Sequence, residues 1–396
     1  MKPVVIVEGV RTAIGKFGGM YKDVSAQELG KIVLEALVAK TRLDPKTVDE
    51  VIMGCVNQGS EAPNVARVSS LLAGFPKEVT NYTVHRNCAS GIQAIVNCYQ
   101  NIQCGDADIQ IAAGSENMSR MPYVNRDLRW GRPMKDSKMV DSVMEGLTDP
   151  TMGQLMGRTA ENLVEEFGIT RQAQDQFAME SHQKAAKATQ AGRFQDEIVP
   201  VTIKKKKGPG KPVEVSLTED ESINASLTVE ALAGYSAVFK EGGTVTAGNA
   251  CPLNDGAAAA LVMSEDRAKA LGYKPLAYIR AYGFAGVEPE RMGIGPSHAM
   301  PVALKKAGLT LQDIQLIEIN EAFAGQYLAV EKKTGLNREI VNVNGGAIAL
   351  GHPVGATGVR FVVTLIKEMA RRNLQLGMAA LCVGGGLGAA IIVERK

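Results

Sequence analysis

Short apolar runs alternate with longer helix-like segments along most of the chain. The strand-like runs share a composition rich in Val, Ile, Leu and Ala, and they lie at residues 4–7, 51–53, 109–112, 316–319 and 379–383. Strands of this kind, separated by segments long enough for helices, are typical of α/β proteins. The pattern therefore predicts a layered α/β architecture.

Two glycine-containing segments indicate an internal duplication. Residues 88–92 (CASGI) align with residues 355–359 (GATGV), and each segment opens a helical run. A glycine-closed strand follows each run, at residues 109–114 in the first copy and 381–385 in the second. Self-similarity of this kind is the signature of a repeated unit, so we predict that the two halves are copies.

The composition changes between the two copies. Met and Arg become frequent there, residues 170–191 follow a helical pattern, and a run of lysines (204–207) precedes Gly208-Pro209-Gly210. Lysines beside such a turn more often form the solvated tip of a hairpin than a phosphate site, so we assign them no site. The predicted domains are an N-terminal half at 1–117 that continues at about 249–270, an inserted loop domain at 118–248, and a C-terminal half at 271–396.

Charge and cysteine content exclude several classes of function. The 44 Lys and Arg residues nearly balance the 42 Asp and Glu residues, and a net charge of +2 gives no general attraction for nucleic acid or lipid headgroups. The six cysteines form no C-x-x-C pair and have only four histidines beside them. This pattern favours neither a zinc site nor a disulfide framework.

Two apolar stretches bear on the cellular location. The N-terminus leads directly into a strand-like run without the longer hydrophobic stretch of a secretory signal, so we expect a cytoplasmic protein. The apolar tail at residues 376–393 is broken by glycines into two strand-length pieces. It therefore predicts a buried hairpin and not a membrane span.

Cys88 and His352 are the first candidates for catalysis. Cys88 precedes a helical run at residues 92–100, and a thiol at a helix N-terminus has its thiolate stabilised by free N–H groups and by the helix dipole. A buried structural cysteine is the alternative. His352 lies in a glycine-rich stretch at residues 345–358, where the backbone can approach a ligand closely. That setting favours a catalytic base over a histidine that serves only as a hydrogen-bond partner.

Two further candidates follow predicted strands. Cys382 ends a strand and precedes Gly384, Gly385 and Gly386, whose N–H groups could bind a developing oxyanion or could merely turn the chain. Asn320 opens the segment 320–323 (NEAF) at a strand end, the edge at which open α/β sheets bind ligands. Together the candidates supply a nucleophile, a base, a second thiol and a polar orienting group.

Taken in order, these segments resemble the thiolase family in its acetyl-CoA acetyltransferase branch. The matching stretches span the chain, at residues 11–19 (RTAIGKFGG), 87–91 (NCASG), 242–249 (GGTVTAGN), 320–323 (NEAF), 345–358 and 382–386 (CVGGG). The resemblance implies a five-layered α-β-α-β-α fold made of two duplicated halves, with the inserted loop domain covering coenzyme A. It also implies a homodimer or a homotetramer.

The resemblance further implies a role for each candidate. Cys88 takes the acyl group, His352 activates it, and Cys382 is the acid/base at C2 of the substrate. Asn320 holds a water that forms one oxyanion hole with His352, while the N–H groups of Cys88 and Gly384 form the other. The implied reaction is the reversible Claisen condensation of two acetyl-CoA to acetoacetyl-CoA and CoA, without a metal or a redox cofactor.

Contacts with the acyl group and with coenzyme A are also implied, and the family's bulky pocket residues favour short acyl chains. The residues at the corresponding positions are Met156, Phe239, Ala247, Ala250, Cys251, Met292 and Phe323. Three departures from the family pattern are Leu155 in place of a His, Asn224 in place of an Arg, and Cys251-Pro252 in place of Ser-Gly. The loss of a guanidinium in particular should weaken or reshape CoA binding, since charge-assisted phosphate contacts are the stronger ones.

Four alternatives stay open on the sequence. The first is a 3-ketoacyl-CoA thiolase with a broader range of chain lengths. The second is a ketoacyl synthase, against which Cys382 and the segment 320–323 argue. The third is a non-catalytic lipid-binding protein on the same scaffold, which would be expected to lack Cys88, His352 or Cys382. The fourth is a cysteine hydrolase that transfers the acyl group to water.

Overall fold

The computed structural model describes residues 2–205 and 213–396. The strands of these residues are β1 (Val4–Thr12), β2 (Gly15–Lys16), β3 (Glu50–Gly54), β4 (Thr80–Val84), β5 (Ile109–Asn117), β6 (Tyr123–Val124), β7 (Val140–Asp141), β8 (Ile198–Val199), β9 (Val201–Lys205), β10 (Val213–Leu217), β11 (Asn254–Ser264), β12 (Ala277–Gly286), β13 (Leu316–Ile319), β14 (Leu376–Val383) and β15 (Leu387–Glu394). The α-helices are α1 (Ala26–Thr41), α2 (Val65–Leu72), α3 (Ser90–Cys104), α4 (Ser142–Gly146), α5 (Met156–Phe167), α6 (Arg171–Gln190), α7 (Val229–Ala233), α8 (Glu265–Ala270), α9 (Gly295–Ala307), α10 (Ala324–Thr334), α11 (Ala347–Leu350) and α12 (Val354–Arg371).

The main sheet is built twice on one plan. Outward from the middle, the first half runs β1-β11-β5-β3-β4 and the second half runs β12-β15-β14-β13. The two halves join where Val5 and Ile6 of β1 pair with β12. A parallel bridge from Ile317 to Val341 takes, in the second half, the place that β4 has in the first. The matching orders confirm the predicted duplication.

Helices cover this sheet in three layers. Helices α1 and α2 pack on the outer face of the first half, and α9 and α10 lie on the outer side of the second half. Helices α3 and α12 pack against each other and against strands of both halves, so they form the middle layer. The buried apolar side chains accordingly fall into a central cluster around α3 and α12 and an outer cluster on each side. The predicted five-layered α-β-α-β-α architecture is confirmed.

The two middle helices cross at a pair of glycines. A Cβ placed on Gly91 would lie 2.6 Å from the backbone nitrogen of Val359, and one placed on Gly358 would lie 2.3 Å from that of Ile92. Real Cβ atoms do not approach a backbone so closely, so both positions require glycine. Because each crossing point lies in the first turns of its helix, the segments that precede α3 and α12 meet on one side of the molecule.

Local sequence signals set several element ends. Helix α6 occupies the predicted helical stretch, with the Thr170 hydroxyl accepting a hydrogen bond from the N–H of Ala173 at its N-terminus. The apolar tail forms the expected hairpin, β14 paired antiparallel with β15. Strand β1 is longer than predicted because its charged residues are paired inside the protein: Glu8 with Lys367 at 2.6 Å, and Arg11 with Glu197 at 2.7 Å.

Three further predictions concern the hairpin tip, the domain limits and the absence of a membrane span, and each has a different outcome. Strands β9 and β10 pair antiparallel, but residues 206–212, where the lysine-rich tip was predicted, lie outside the described residues. The proposed domain limits stay a prediction. Between residues 2 and 205 and between 213 and 396, no helix combines the length and hydropathy needed to cross a bilayer.

Candidate active site

One cavity of about 700 Å³ lies where the two halves meet, and its volume is that of a small-molecule site. Eight of the predicted site residues line it: Cys88, Met156, Cys251, Met292, Phe323, His352, Cys382 and Gly384. They come from the turn before α3, the start of α5, the segment before β11, the 3-10 helix Pro289–Ile294, the segment after β13, the turn before α12, and the end of β14 with the turn that follows it. The structure therefore brings together two thiols and an imidazole that are far apart in the sequence.

The turn that carries Cys88 is fixed by its neighbours. Asn87 has a φ of +42°, in the left-handed region that asparagine tolerates better than most residues. The Ser90 hydroxyl donates to the Asn87 carbonyl at 2.6 Å and accepts from the N–H of Arg86 at 2.9 Å. The Asn87 side-chain amide donates to the Gly384 carbonyl at 2.7 Å. This last bond ties the Cys88 turn to the turn between β14 and β15.

The cavity holds Cys88 as a thiol. Burial of its sulfur raises its pKa to about 11, although the N–H groups of Gly384 and of Cys88 itself face the sulfur and favour the thiolate. Helix α3 begins only at Ser90, with Ala89 as N-cap, so Cys88 precedes the helix. N–H groups that favour the thiolate are present, but in the free site desolvation outweighs their effect on the pKa.

His352 is held as a neutral base. Its Nδ1 lies 2.7 Å from the Thr357 hydroxyl, which donates its own proton to the Pro353 carbonyl at 2.9 Å. The hydroxyl therefore accepts from Nδ1–H, and Nε2 is the unprotonated nitrogen, whose lone pair faces the Asn320 side-chain amide. Burial lowers the pKa of His352 to about 3, with a smaller contribution from the Arg360 charge. The ring is unprotonated at neutral pH and can accept a proton at Nε2.

Asn320 links His352 to Cys382. Its side-chain amide nitrogen lies 3.3 Å from His352 Nε2 and 3.9 Å from Cys382 Sγ. Its side-chain oxygen has no hydrogen-bond partner among the described residues. Burial raises the pKa of Cys382 well above the usual range, and the neighbouring Cys88 and Cys251 sulfurs raise it further. Cys382 is therefore a neutral thiol, a potential proton donor, beside a buried polar group.

The other predicted contacts surround this centre unevenly. Phe239 and Phe323 stack edge to face, with ring centroids 5.8 Å apart, in an apolar cluster that contains Met156, Met292 and Cys382. Ala250 is buried and forms a backbone bridge with Phe323. Ala247 is exposed and does not line the cavity. Its predicted contact with coenzyme A stays a prediction.

The three departures from the family pattern occupy ordinary structural positions. Leu155 is the N-cap residue of α5 and makes no side-chain capping bond. The Asn224 side-chain oxygen accepts from the N–H of Ser226, while the backbone N–H of Asn224 donates to Nδ1 of His182. Cys251 lines the cavity, and burial raises its pKa to about 12. Their effect on CoA affinity stays a prediction.

Several residues of the site escaped the sequence analysis. Thr357 orients His352, and its signal was a hydroxyl one turn after a histidine at a helix start. Asn87 shapes the nucleophile turn, and His85 lines the cavity. Most of the segment 142–151 lines the cavity as well. No sequence signal marked that segment, because its residues follow no clear periodicity.

Known protein families and relatives match this chain over essentially its whole length. The family model "Thiolase, N-terminal domain" matches residues 4–266, and "Thiolase, C-terminal domain" matches residues 273–395. An acetyl-CoA acetyltransferase of Cupriavidus necator is 48% identical over 397 residues, with 100% of each chain covered. A probable acetyl-CoA acyltransferase of Staphylococcus epidermidis is 46% identical, with 100% of this chain and 99% of the relative covered.

Solved structures resemble this chain over its full length. The crystal structure of the Bacillus anthracis acetyl-CoA acetyltransferase has a TM-score of 0.97 and 48% identity, and the match covers 100% of this chain and 99% of that one. The crystal structure of human mitochondrial 3-ketoacyl-CoA thiolase has a TM-score of 0.96 and 42% identity, with the same coverage. That human enzyme has also been solved in complex with CoA.

Proposed function

This chain belongs to the thiolase family of acyltransferases, and on that premise we propose that it catalyses the reversible condensation of two acetyl-CoA to acetoacetyl-CoA and CoA. The observation that carries the proposal is the single cavity lined by Cys88, His352 and Cys382. A nucleophile, a neutral base and a second thiol at one cavity are the groups that this chemistry needs.

In the first half-reaction, the thioester carbonyl of acetyl-CoA lies against Cys88. His352 Nε2 gives up its contact with the Asn320 amide and takes the Cys88 proton, and the sulfur attacks the carbonyl carbon. The N–H groups of Cys88 and Gly384, which face the sulfur, stabilise the oxyanion of the tetrahedral intermediate. The bond to the CoA sulfur then breaks, and Cys382, held as a thiol by burial, gives its proton to that sulfur. The products are acetyl-Cys88, free CoA, a Cys382 thiolate and a protonated His352.

In the second half-reaction, the Cys382 thiolate takes a proton from the methyl group of a second acetyl-CoA. Because its pKa is raised, this thiolate is a strong base. Asn320 and His352 stabilise the enolate oxygen, and the enolate carbon attacks the acetyl carbon on Cys88. The Cys88 sulfur leaves and recovers its proton from His352. The protein returns to its starting state, and thiolysis of acetoacetyl-CoA is the same path reversed.

A second candidate is a 3-ketoacyl-CoA thiolase that accepts longer acyl chains. The likeness to human mitochondrial 3-ketoacyl-CoA thiolase, at a TM-score of 0.96, favours it. Part of the cavity wall is also apolar, with Met118, Met121, Val143 and Leu147 among its lining residues. Thiolysis rates for 3-ketoacyl-CoA substrates of increasing chain length separate the two: a steep fall beyond acetoacetyl-CoA supports the first candidate, and a plateau over several lengths supports the second.

The proposal is tested by thiolysis of acetoacetyl-CoA with free CoA. We expect the wild-type protein to cleave this substrate and Cys88→Ala to have no measurable activity. Cys104→Ala is the matched control, since Cys104 is a free, exposed thiol at the other end of α3, and this variant should keep wild-type activity. Undiminished thiolysis by Cys88→Ala would refute the proposal.

Assembly, location and cofactor requirement rest on the sequence alone. We propose a homodimer or a homotetramer that works in the cytoplasm on acetyl-CoA, acetoacetyl-CoA and CoA, without a metal or a redox cofactor. Light scattering on the purified protein measures the assembly. Activity after exhaustive dialysis against a chelator measures the metal requirement.

A further inference from the structure

A buried ion pair that the proposed reaction does not use lies behind the catalytic residues. Glu318 of β13 and Arg360 of α12 approach to 3.6 Å between Oε2 and Nη1, and their side chains are 1% and 2% exposed. Glu318 lies on a strand of otherwise apolar residues, and Arg360 lies on a helix of the middle layer. Neither charge reaches solvent, so the pair has no role at the surface.

The pair lies next to the Asn320–His352 contact on the same two elements. Glu318 and Asn320 are two residues apart along an extended segment, so both side chains point to one face of the sheet. Arg360 and Thr357 are three residues apart on α12, so they share a face of the helix. Thr357 in turn holds His352 Nδ1. The Asn320–His352 contact and the Glu318–Arg360 pair therefore both join the β13 segment to the α12 segment. The first lies beside the cavity, and the second lies deeper in the protein.

The geometry of the pair does not suit a purely stabilising role. Within residues 2–205 and 213–396, none of the three guanidinium nitrogens of Arg360 has a hydrogen-bond partner, and Glu318 Oε2 has none either. Burial lowers the pKa of Arg360 and raises that of Glu318, while the charge of each residue favours the ionised form of the other. A buried ion pair with incomplete hydrogen bonding is in general weak support for stability. Buried polar atoms that lack hydrogen-bond partners are a local departure from good packing, and such departures are expected at functional sites.

The other charges around Arg360 do not replace Glu318. Arg360 interacts electrostatically with Asp220 and Glu197, but both of these acids form close ion pairs with Arg11. Glu318 is the largest favourable influence on Arg360. It is also the carboxylate on the strand that Asn320 directly follows. The pair is therefore a charged contact between β13 and α12 next to the segments that carry Asn320 and His352.

We propose that Glu318 and Arg360 are positioning residues that set the distance between Asn320 and His352, and so shape the oxyanion site of the condensation step. The inference rests on the proposed function, since it assigns the pair a role in that reaction. Neither side chain lines the cavity, so both act through Asn320 and His352, of which His352 lines it. Displacement of a reacting group by about 1 Å can lower a rate on the order of 100-fold.

A double-mutant cycle tests this. Arg360→Met removes the charge and keeps a side chain of similar length, and we expect kcat for acetoacetyl-CoA thiolysis to fall roughly 10- to 100-fold with KM changed little. In an Asn320→Ala background the same substitution should lower kcat less than about threefold, because the group being positioned is already gone. An equal fall in both backgrounds would overturn the proposal.

If Arg360→Met fails to fold, the nearly isosteric Glu318→Gln replaces it in the double-mutant cycle with Asn320→Ala. Thr364→Val is the matched control on α12: it removes the hydrogen bond from this buried hydroxyl to Glu197, at 3.0 Å, without touching Glu318. It should lower the melting temperature and leave kcat unchanged. A loss of kcat in Thr364→Val as large as that in Arg360→Met would also overturn the proposal. Wild-type thiolysis is measured in parallel, so a failure of the proposed function itself is seen separately.

Discussion

Gly91 and Gly358 meet backbone to backbone at the crossing of the two central helices, and a Cβ on Gly358 would stand 2.3 Å from the Ile92 nitrogen. These are the corresponding residues of the two sequence copies. Cys88 lies three residues before one of them and His352 six residues before the other. The close approach of the helices is therefore what places the nucleophile and the base at one cavity.

Gly358→Ala should damage both stability and activity. Backbone atoms cannot yield to the added methyl group, so α3 and α12 must move apart, which costs about 1–3 kcal/mol. We expect a lower melting temperature and a lower kcat. Gly286→Ala is the control, because a Cβ there meets no atom within 4 Å and its φ is not in the left-handed region. Equal melting temperatures and rates for the two variants would contradict the helix-crossing account.

Thr357→Val should impair catalysis through His352. Without the hydroxyl, Nδ1–H loses its acceptor at 2.7 Å, and the ring is free to adopt the tautomer that protonates Nε2. We expect kcat to fall roughly 10- to 100-fold, within the usual range for loss of general base catalysis. Thr357→Ser keeps the hydroxyl and should retain most of the activity. If Val and Ser at this position gave equal rates, Thr357 would not orient the imidazole.

Alkylation of Cys88 by iodoacetamide should accelerate with pH. The thiolate is the reactive form, and the pKa of Cys88 in the free site is about 11. Between about pH 7 and pH 9.5 the rate should therefore rise roughly tenfold per pH unit without a plateau. Peptide mass spectrometry resolves Cys88 from the exposed Cys104. A plateau near pH 7 would mean that the thiolate is stabilised in the free protein.

Cys382→Ala should separate the two half-reactions. His352 and the N–H groups at Cys88 are kept, so acetyl-CoA should still acetylate Cys88, although more slowly because the CoA sulfur must leave without the proton from Cys382. The C2 proton of the second acetyl-CoA then has no base, and condensation should be very slow. Intact-protein mass spectrometry should show a stable added acetyl group on this variant and none on Cys88→Ala. If Cys382→Ala condensed at the wild-type rate, the acid/base role would belong to another residue.

The sequence predicts the fold and the central residues of the site because their signals are local. The two glycine segments that mark the duplication are also the segments that meet in space, so one pattern predicted both the halves and their contact. Cys382 could be found because glycines follow it at a strand end, and Asn320 because a polar residue follows an apolar strand. The hairpin of β14 and β15 was likewise predicted from the glycines between its strands.

Properties that depend on distant contacts could not be predicted. The pKa of Cys88 follows from burial by segments far away in the chain, and the effect of this burial outweighs the stabilisation of the thiolate by nearby N–H groups. The length of β1 was underestimated because the partners of Glu8 and Arg11 lie 359 and 186 residues away in the sequence. The partnership of Glu318 with Arg360 left no trace, since a single charge in an apolar run does not show which residue it faces.

The matching strand orders of the two halves also bear on why the cavity holds different catalytic side chains from each half. Two identical chains crossing in this way would present the same side chains on both sides of the junction. Within one polypeptide the two copies differ, so that a cysteine at position 88 has a glycine, residue 355, as its counterpart. Covalent joining thus permits a division of labour, in which one copy contributes the acyl carrier and the other contributes both proton-transfer groups.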